Sequence, residues 1–412
     1  MQSIHFTADL SGCRTHLTLM TDETGLRQAC LEVVNRCGLN VVGDTFVGLP
    51  GIGDSPGGVT GTVLLAESHL AIHTWPEQSA VTLDVYAGNF STDNSKRASQ
   101  LLEAMTDLFD PAEVSHQRLQ RGEIGAAHSA HTMGQEKLND HSAYAYQLGP
   151  VLYREQSPYQ LIEVHDSPQF GRLFRLDGDY MTSEKEEFFY HEALVHPAAA
   201  SHGKVKRVLI LGGGDGGAAE ELLKYPSVER VIIAELDEVV IRVARDYFQS
   251  IHHGALDDPR VEVRIGDGLA FVRDTTERFD LVLLDLTDPD TPASALYTAE
   301  FFSSVKKLLN PGGAMVLHTA SPIFRPDVVS MLYQRLQKNF TIVAPMGLYI
   351  PLYGAYWSFA VCSESLDPRK ASSTQIAELI ASAKLKDLEY FNPSTHEGLF
   401  ALPNYFQKLV AK

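Results

Sequence analysis

Leu209-Ile-Leu-Gly-Gly-Gly-Asp-Gly-Gly217 is a hydrophobic strand that runs into a glycine turn and opens a helix. Glycines at such a turn let backbone N–H groups approach a ligand closely, and the helix that follows adds its positive end. Downstream, Val231-Ile-Ile-Ala-Glu-Leu-Asp237 is a second apolar strand ending in acid. It puts Glu235 about twenty residues past the glycines, where an acidic side chain grips a ribose hydroxyl. Arg264-Ile-Gly-Asp-Gly268 and Asp280-Leu-Val-Leu-Leu-Asp-Leu-Thr-Asp-Pro289 each finish a further strand with carboxylates. Ligands of open α/β sheets sit outside the carboxyl ends of the strands, so Asp215, Glu235, Asp267, Asp285 and Asp288 converge on one crevice. No basic residue stands beside them at these tips. Such a crevice suits an adenosine with more than one positive charge, and does not suit phosphate.

The chain of 412 residues is long enough for two or three domains, each with its own core. Its 44% hydrophobic and 21% charged residues are ordinary for a globular protein. A net charge of −18 argues against nucleic acid or anionic membrane as partner and is compatible with cationic substrates. Cys13, Cys30, Cys37 and Cys362 lack metal-ligand spacing, so neither a metal nor a disulfide framework is expected. The start lacks a basic and then apolar signal, and no apolar run reaches a membrane span. These features predict a reduced, cytoplasmic enzyme.

The pattern predicts an α/β protein in four parts. Residues 1–122 form an α+β two-layer domain in which residues 66–76 and 81–87 are neighbouring strands. Residues 123–148 read as a linker, because Ala126-Ala-His-Ser-Ala-His-Thr-Met-Gly-Gln135 has no periodicity. Residues 149–203 read as β-hairpins, a small β-domain followed by a helix over 184–196. From 204 to 412, strands alternate with helices, which predicts a Rossmann-like doubly wound parallel sheet.

Several stretches in order carry a resemblance from about 150 to 412: Ser157-Pro-Tyr-Gln160, Glu187-Phe-Phe-Tyr-His-Glu192, Gly212-Gly-Gly-Asp-Gly-Gly217, Asp258-Pro-Arg260, Asp285-Leu-Thr-Asp-Pro289 and Tyr390-Phe-Asn-Pro-Ser-Thr-His-Glu397 with Ala401-Leu-Pro403. This part resembles the polyamine aminopropyltransferase (spermidine synthase) family. The resemblance implies decarboxylated S-adenosylmethionine as donor and putrescine as acceptor. Gly212, Gly214 and Gly268 would line the donor, Glu235 would accept both ribose hydroxyls, and Asp267 would take the adenine amino group. Asp215 with Gln160 would hold the aminopropyl ammonium, and a carboxylate there repels intact S-adenosylmethionine, which argues against a methyltransferase. Asp285 would be the general base; Tyr190, His191, Asp288 and Tyr353 would surround the acceptor amine. One departure is Ile350-Pro-Leu-Tyr-Gly-Ala-Tyr-Trp357, where the family shows Thr-Tyr before a glycine turn and this loop is a residue short.

Ala66-Glu-Ser-His-Leu-Ala-Ile-His-Thr-Trp-Pro-Glu77 resembles the processing site of bacterial S-adenosylmethionine decarboxylase proenzymes. The resemblance implies cleavage between Glu67 and Ser68, with Ser68 converted to a covalent pyruvoyl group, the electron sink for a departing carboxylate. His73 and Thr60 would assist. His73 lies five residues from Ser68 on the opposite face of a regular strand, so a bulge or bend must bring it near. Two departures stand out. Gly88 occupies the position of the family's reprotonating Cys, and the loop 47–59 has no aromatic but contains Asp54. They keep open L-ornithine or L-arginine as the decarboxylated substrate. A third alternative is a non-catalytic oligomerisation or regulatory module. The expected whole is a bifunctional, homo-oligomeric polyamine enzyme without a metal.

Overall fold

In the computed structural model, residues 3–51, 53, 56–88, 94–121, 132–289 and 292–411 are described. The chain divides into two compact units, Met1–His128 and Ser129–Lys412.

Alternation of apolar and polar residues builds the first unit. β1 (Ser3–Ser11), β2 (Val41–Gly48), β3 (Val59–Leu65), β4 (Ser68–Trp75), β5 (Ala80–Gly88) and β6 (Glu113–Arg121) make an antiparallel sheet in the order β2-β3-β4-β5-β1-β6. Leu70 and Ile72 of β4, Val81, Leu83 and Val85 of β5, and Ile4 and Phe6 of β1 share one face. The helices Glu23–Arg36 and Ser95–Phe109 bring Leu26, Cys30, Leu101 and Met105 down onto it. The period of two sends His5, His69, His73 and Asp84 to the other face. This is the expected two-layer arrangement.

In the second unit, β7 (Thr132–Asn139) and β8 (Ser142–Leu148) pair as a hairpin. The linker expected over 123–148 is therefore corrected for 132–148. In β8, Ala143-Tyr-Ala-Tyr146 alternates small residues with rings, and Tyr144 and Tyr146 pack on Tyr180 and Phe170. That is strand periodicity hidden in a small-residue composition. β9 (Val151–Gln156), β10 (Leu161–Ser167), β11 (Gly171–Leu176) and β12 (Asp179–Ser183) form a second antiparallel sheet. The helix after it spans Phe188–His202, later and longer than expected. Residues 184–187 form a turn, and the helix continues through Pro197 because Val195 to Ala199 are fully buried against the sheet core.

The last sheet has the order β15-β14-β13-β16-β17-β19-β18, built from β13 (Arg207–Gly212), β14 (Arg230–Glu235), β15 (Val261–Ile265), β16 (Phe279–Asp285), β17 (Leu309–His318), β18 (Ile342–Ile350) and β19 (Ala355–Ser363). Five strands are parallel, and β19 and β18 add an antiparallel edge, so the sheet is mixed. Val208 to Leu211 and Leu281 to Leu284 are fully buried, the continuous apolar run of strands covered on both faces. Strand order reverses between β13 and β16, which opens a crevice at their carboxyl ends. Among the described residues no helix is long and apolar enough to cross a membrane, and all four cysteines are free.

Candidate active sites

The crevice at the switch point is a cavity of about 300 Å³ whose wall includes Gln160, Gly214, Asp215, Glu235, Asp267 and Asp285. Its glycines are required by close approach. Gly212 and Gly213 have φ of 77° and 65°, and a Cβ on Gly212 would lie 2.1 Å from the Asp285 carbonyl oxygen. The Gly213 N–H donates to that carbonyl at 2.9 Å, which ties the glycine turn to the tip of β16. A Cβ on Gly214 would lie 2.8 Å from Glu235 Oε2. Glu235 is buried, which pushes its carboxyl up to about 7, and its Oε1 accepts the Asp237 N–H at 2.9 Å. Asp267 is exposed at the start of helix Gly268–Asp274 and accepts the Leu269 N–H at 2.8 Å.

Asp215 and Asp285 differ in their neighbours. Burial alone would raise the Asp215 carboxyl, but His191 at 3.3 Å from its Oδ2 holds it below the ordinary value. His191 reaches in from helix Phe188–His202; its Nδ1 meets Glu187 Oε2 at 2.6 Å. Burial opposes its charge, yet the two carboxylates raise it well above an ordinary histidine. The expectation of no basic group beside the acids is thus corrected. The cation comes from a helix earlier in the chain, so the strand-tip segments do not reveal it. Asp285 is pushed up to about 7 by burial and then by the Asp215 charge, with His191 and Tyr190 pulling it down. Its Oδ2 is buried without a hydrogen-bond partner. His191, Asp215 and Asp285 offer donor atoms within 4.8 Å of one another, and His191 already supplies the positive charge there.

Gln160 stands in the wall, but its amide donates to Asp237 Oδ2 at 3.1 Å, as does the Ser157 hydroxyl at 2.6 Å. Asp237 thus engages the Gln160 amide. On the other side of Asp285, Tyr190 and Tyr353 have ring centroids 6.0 Å apart, and Tyr353 stands 4.9 Å from Trp357. The Tyr353 hydroxyl donates to Met181 O at 2.9 Å. Asp288 lies 3.6 Å from His318 Nδ1. Burial pushes His318 down to about 4, so it is neutral at physiological pH. Its Nδ1 accepts from Trp357 Nε1 at 3.4 Å and its Nε2 meets Leu286 O at 2.8 Å.

In the first unit, Ala66 and Glu67 form the turn between β3 and β4, and Leu65 pairs with Ser68 across it. β4 keeps an unbroken register with both neighbours. His73 therefore sits about 17 Å along the strand from Ser68, at roughly 3.3 Å per residue, and on the other face. The bulge needed to bring it to Ser68 is not there, because both ladders are regular. His73 Nδ1 instead meets Thr60 Oγ1 at 3.1 Å, opposite it in register. On that face His69 stacks on Tyr86 at 5.5 Å and approaches Asp84, which His5 also contacts. Asp54 lies outside the described residues.

The Spermine/spermidine synthase domain matches residues 187–371, and the Spermidine synthase tetramerisation domain matches 135–184. The polyamine aminopropyltransferase of Nitrosomonas europaea is 43% identical over 277 residues, 67% of this chain and 85% of that protein. This chain belongs to the polyamine aminopropyltransferase family. The enzyme of Thermoanaerobacter sp. is 38% identical over 275 residues, covering 66% of this chain and 96% of that protein. Among solved structures, spermidine synthase in complex with the transition-state analogue AdoDATO matches with a TM-score of 0.65 at 33% identity, over 71% of this chain and 98% of that one. Spermidine synthase from Thermotoga maritima gives 0.64 at 33%, over 71% and 97%. Residues 4–122 match the S-adenosylmethionine decarboxylase family. The chain joins an S-adenosylmethionine decarboxylase domain to the tetramerisation and catalytic domains of a spermidine synthase.

In the aminopropyltransferase unit, sequence reasoning missed three residues. His318 ends β17 at the same edge of the sheet as Asp285, and the strand-end rule that found Asp285 applies to it equally. Trp357 closes the shortened loop Ile350-Pro-Leu-Tyr-Gly-Ala-Tyr-Trp357, and no spacing in that loop marks it. Glu136 was hidden inside the misread hairpin. Burial pushes its carboxyl up to about 8, the Tyr180 N–H and Tyr144 lower it, and Asp179 and Asp288 add to the rise.

Proposed function

We propose that the second unit moves the aminopropyl group of decarboxylated S-adenosylmethionine onto the diamine putrescine. The observation that carries this is Asp285: a half-buried carboxyl raised to about 7, whose Oδ2 is buried without a hydrogen-bond partner. A carboxylate of that strength is matched to accepting a proton near neutral pH. An attacking primary amine has a pKa of ~10 and arrives charged. The amine nitrogen bonds to the carbon beside the sulfonium as its proton passes to Asp285. The carbon–sulfur bond breaks, and methylthioadenosine leaves with the electron pair. Glu235 fits the ribose hydroxyls, Asp267 the adenine amino group, and Asp215 the ammonium of the donor. The neutral His318 adds no positive charge to the acceptor end, where Asp288 and Glu136 favour the second ammonium of a diamine.

The first unit is assigned self-cleavage at Glu67–Ser68 and decarboxylation of S-adenosylmethionine. The residues fit a pyruvoyl group at position 68, because the turn presents the Glu67 carbonyl and the Ser68 hydroxyl on adjacent residues at the end of a strand. When formed, that group supplies the electron sink for decarboxylation. Thr60 and His73 cannot reach Ser68 of their own chain, so their assistance is assigned to Ser68 of a second copy, in keeping with a homo-oligomer. Gly88 favours the second reading, an ornithine or arginine decarboxylase, since it lacks the family's thiol. The test is direct. The full chain should form spermidine and methylthioadenosine from decarboxylated S-adenosylmethionine and putrescine, and release labelled carbon dioxide from S-adenosylmethionine. Release from ornithine or arginine alone would replace the first reading with the second.

A further inference from the structure

The turn carrying the Glu67–Ser68 peptide has an unusual backbone. Two-residue hairpin turns whose twist matches their strands need a positive φ at the first central residue, and neither Ala66 nor Glu67 has one. The turn is held from outside instead. The Ala66 N–H donates to Asn40 O at 3.1 Å, and the Gly88 N–H donates to Glu67 O at 3.0 Å. Gly88 ends β5, one residue beyond Ala87, the register partner of Ser68. A Cβ on Gly88 would lie 2.4 Å from Glu67 O. That obstacle is backbone, fixed by the ladders on either side. The buried Asn94 donates Nδ2 to Gly88 O at 3.1 Å, which steadies the end of β5 that carries Gly88.

We infer that Gly88 is a positioning residue for self-processing: its amide holds and polarises the carbonyl that Ser68 attacks, and its missing side chain admits that carbonyl. The inference rests on the reading that the chain cuts itself at Glu67–Ser68. In the first step, Ser68 Oγ bonds to the Glu67 carbonyl carbon, and the C=O electron pair moves onto the oxygen facing the Gly88 N–H. Collapse breaks the Glu67–Ser68 C–N bond, the hydroxyl proton ends on the freed nitrogen, and an ester remains. Elimination then takes the Ser68 Cα proton and breaks the Cβ–Oγ bond, giving the Glu67 carboxylate and a dehydroalanine. Tautomerisation to the imine and addition of water release ammonia and leave the pyruvoyl group. The 3.0 Å contact lies within the range of a useful oxyanion donor, and loss of one such donor slows acyl chemistry by about 10²–10³.

The full chain, made by cell-free translation and sampled over time, is weighed by mass spectrometry with and without hydroxylamine, which cuts an ester at Glu67. Wild type should pass into two fragments. Gly88→Ala should cut at least about 10²-fold more slowly and give no hydroxylamine-labile material. Asn94→Ala, which keeps Gly88 but frees its carbonyl, should slow cutting about tenfold, the size of one hydrogen bond. Cutting of Gly88→Ala at the wild-type rate overturns the inference, and so does accumulation of its ester, which would put Gly88 after the acyl shift. If Gly88→Ala loses its cooperative melt, Asn94→Ala decides, and a wild-type rate there overturns it. An intact wild type instead defeats the self-processing reading itself, a different result from either variant outcome.

Discussion

Replacing Asp285 by asparagine keeps the shape of the β16 tip and removes the proposed proton acceptor. The Gly213 N–H still bonds the residue 285 carbonyl, so the glycine turn stays in place. Loss of a general base costs about 10²–10⁴ in rate, roughly 2.7–5.4 kcal/mol of barrier at 1.36 kcal/mol per tenfold. The pH dependence separates this role from a merely structural one. Burial and the Asp215 charge push the wild-type carboxyl up to about 7. A base must be deprotonated to work, so kcat/KM should rise with pH up to about 7 and fall about tenfold per unit below it. Asp285→Asn should lose that limb as well as the rate. The assay is release of methylthioadenosine from decarboxylated S-adenosylmethionine and putrescine between pH 5.5 and 8.5. A variant within about threefold of wild type, or a slow variant that keeps the acid limb, would refute the assignment.

Three further outcomes are expected. Ser68→Ala should remain one full-length chain with no carbonyl-reactive group, while co-expression with His73→Ala should restore cutting of the His73→Ala chain, as seen by mass. His191→Ala leaves two half-buried carboxylates without their cation and should lower unfolding stability by about 1–3 kcal/mol in denaturant titration. Because the folded pKa of His191 is raised, its stabilising effect is full below the unfolded value of ~6.5 and fades as pH rises through the folded value, so the wild-type advantage should shrink at alkaline pH. Glu136→Gln should raise the KM for the diamine with little change in kcat. The wild-type KM should fall as pH passes about 8, where Glu136 ionises, and the variant's should not.

The strands of the last sheet were legible because β13, β14 and β16 are continuous apolar runs, and because a parallel sheet leaves its strand tips beside glycines and acids. The antiparallel edge was not legible, since β18 and β19 look as apolar as their parallel neighbours and strand direction leaves no mark on composition. The hairpin at 132–148 failed for the opposite reason: its alternation of alanine and tyrosine was read by composition and not by period. In the first unit, the alternation that defines β4 also forbade Ser68 and His73 from meeting within one chain. The family resemblance implied a partnership there that only a bulge or bend could have allowed. The regular register keeps the two apart within one chain, and the proposed assistance is therefore one between copies.

The two acids at the strand tips are told apart by a residue on another element. Asp215 and Asp285 are both carboxylates at neighbouring tips, and burial raises each of them. His191 lies 3.3 Å from Asp215 and restores its charge. That charge, in turn, is the second cause that lifts Asp285 to about 7. The same cation thus makes one acid a permanent anion, suited to holding an ammonium, and leaves its neighbour poised to take a proton. Two chemically identical side chains are driven apart by environment, which is how acid and base roles separate at neutral pH. The sequence places both acids in the crevice, but only the packing of helix Phe188–His202 against the start of helix Gly217–Leu223, where a Cβ on Gly217 would meet the His191 ring at 2.3 Å, tells them apart.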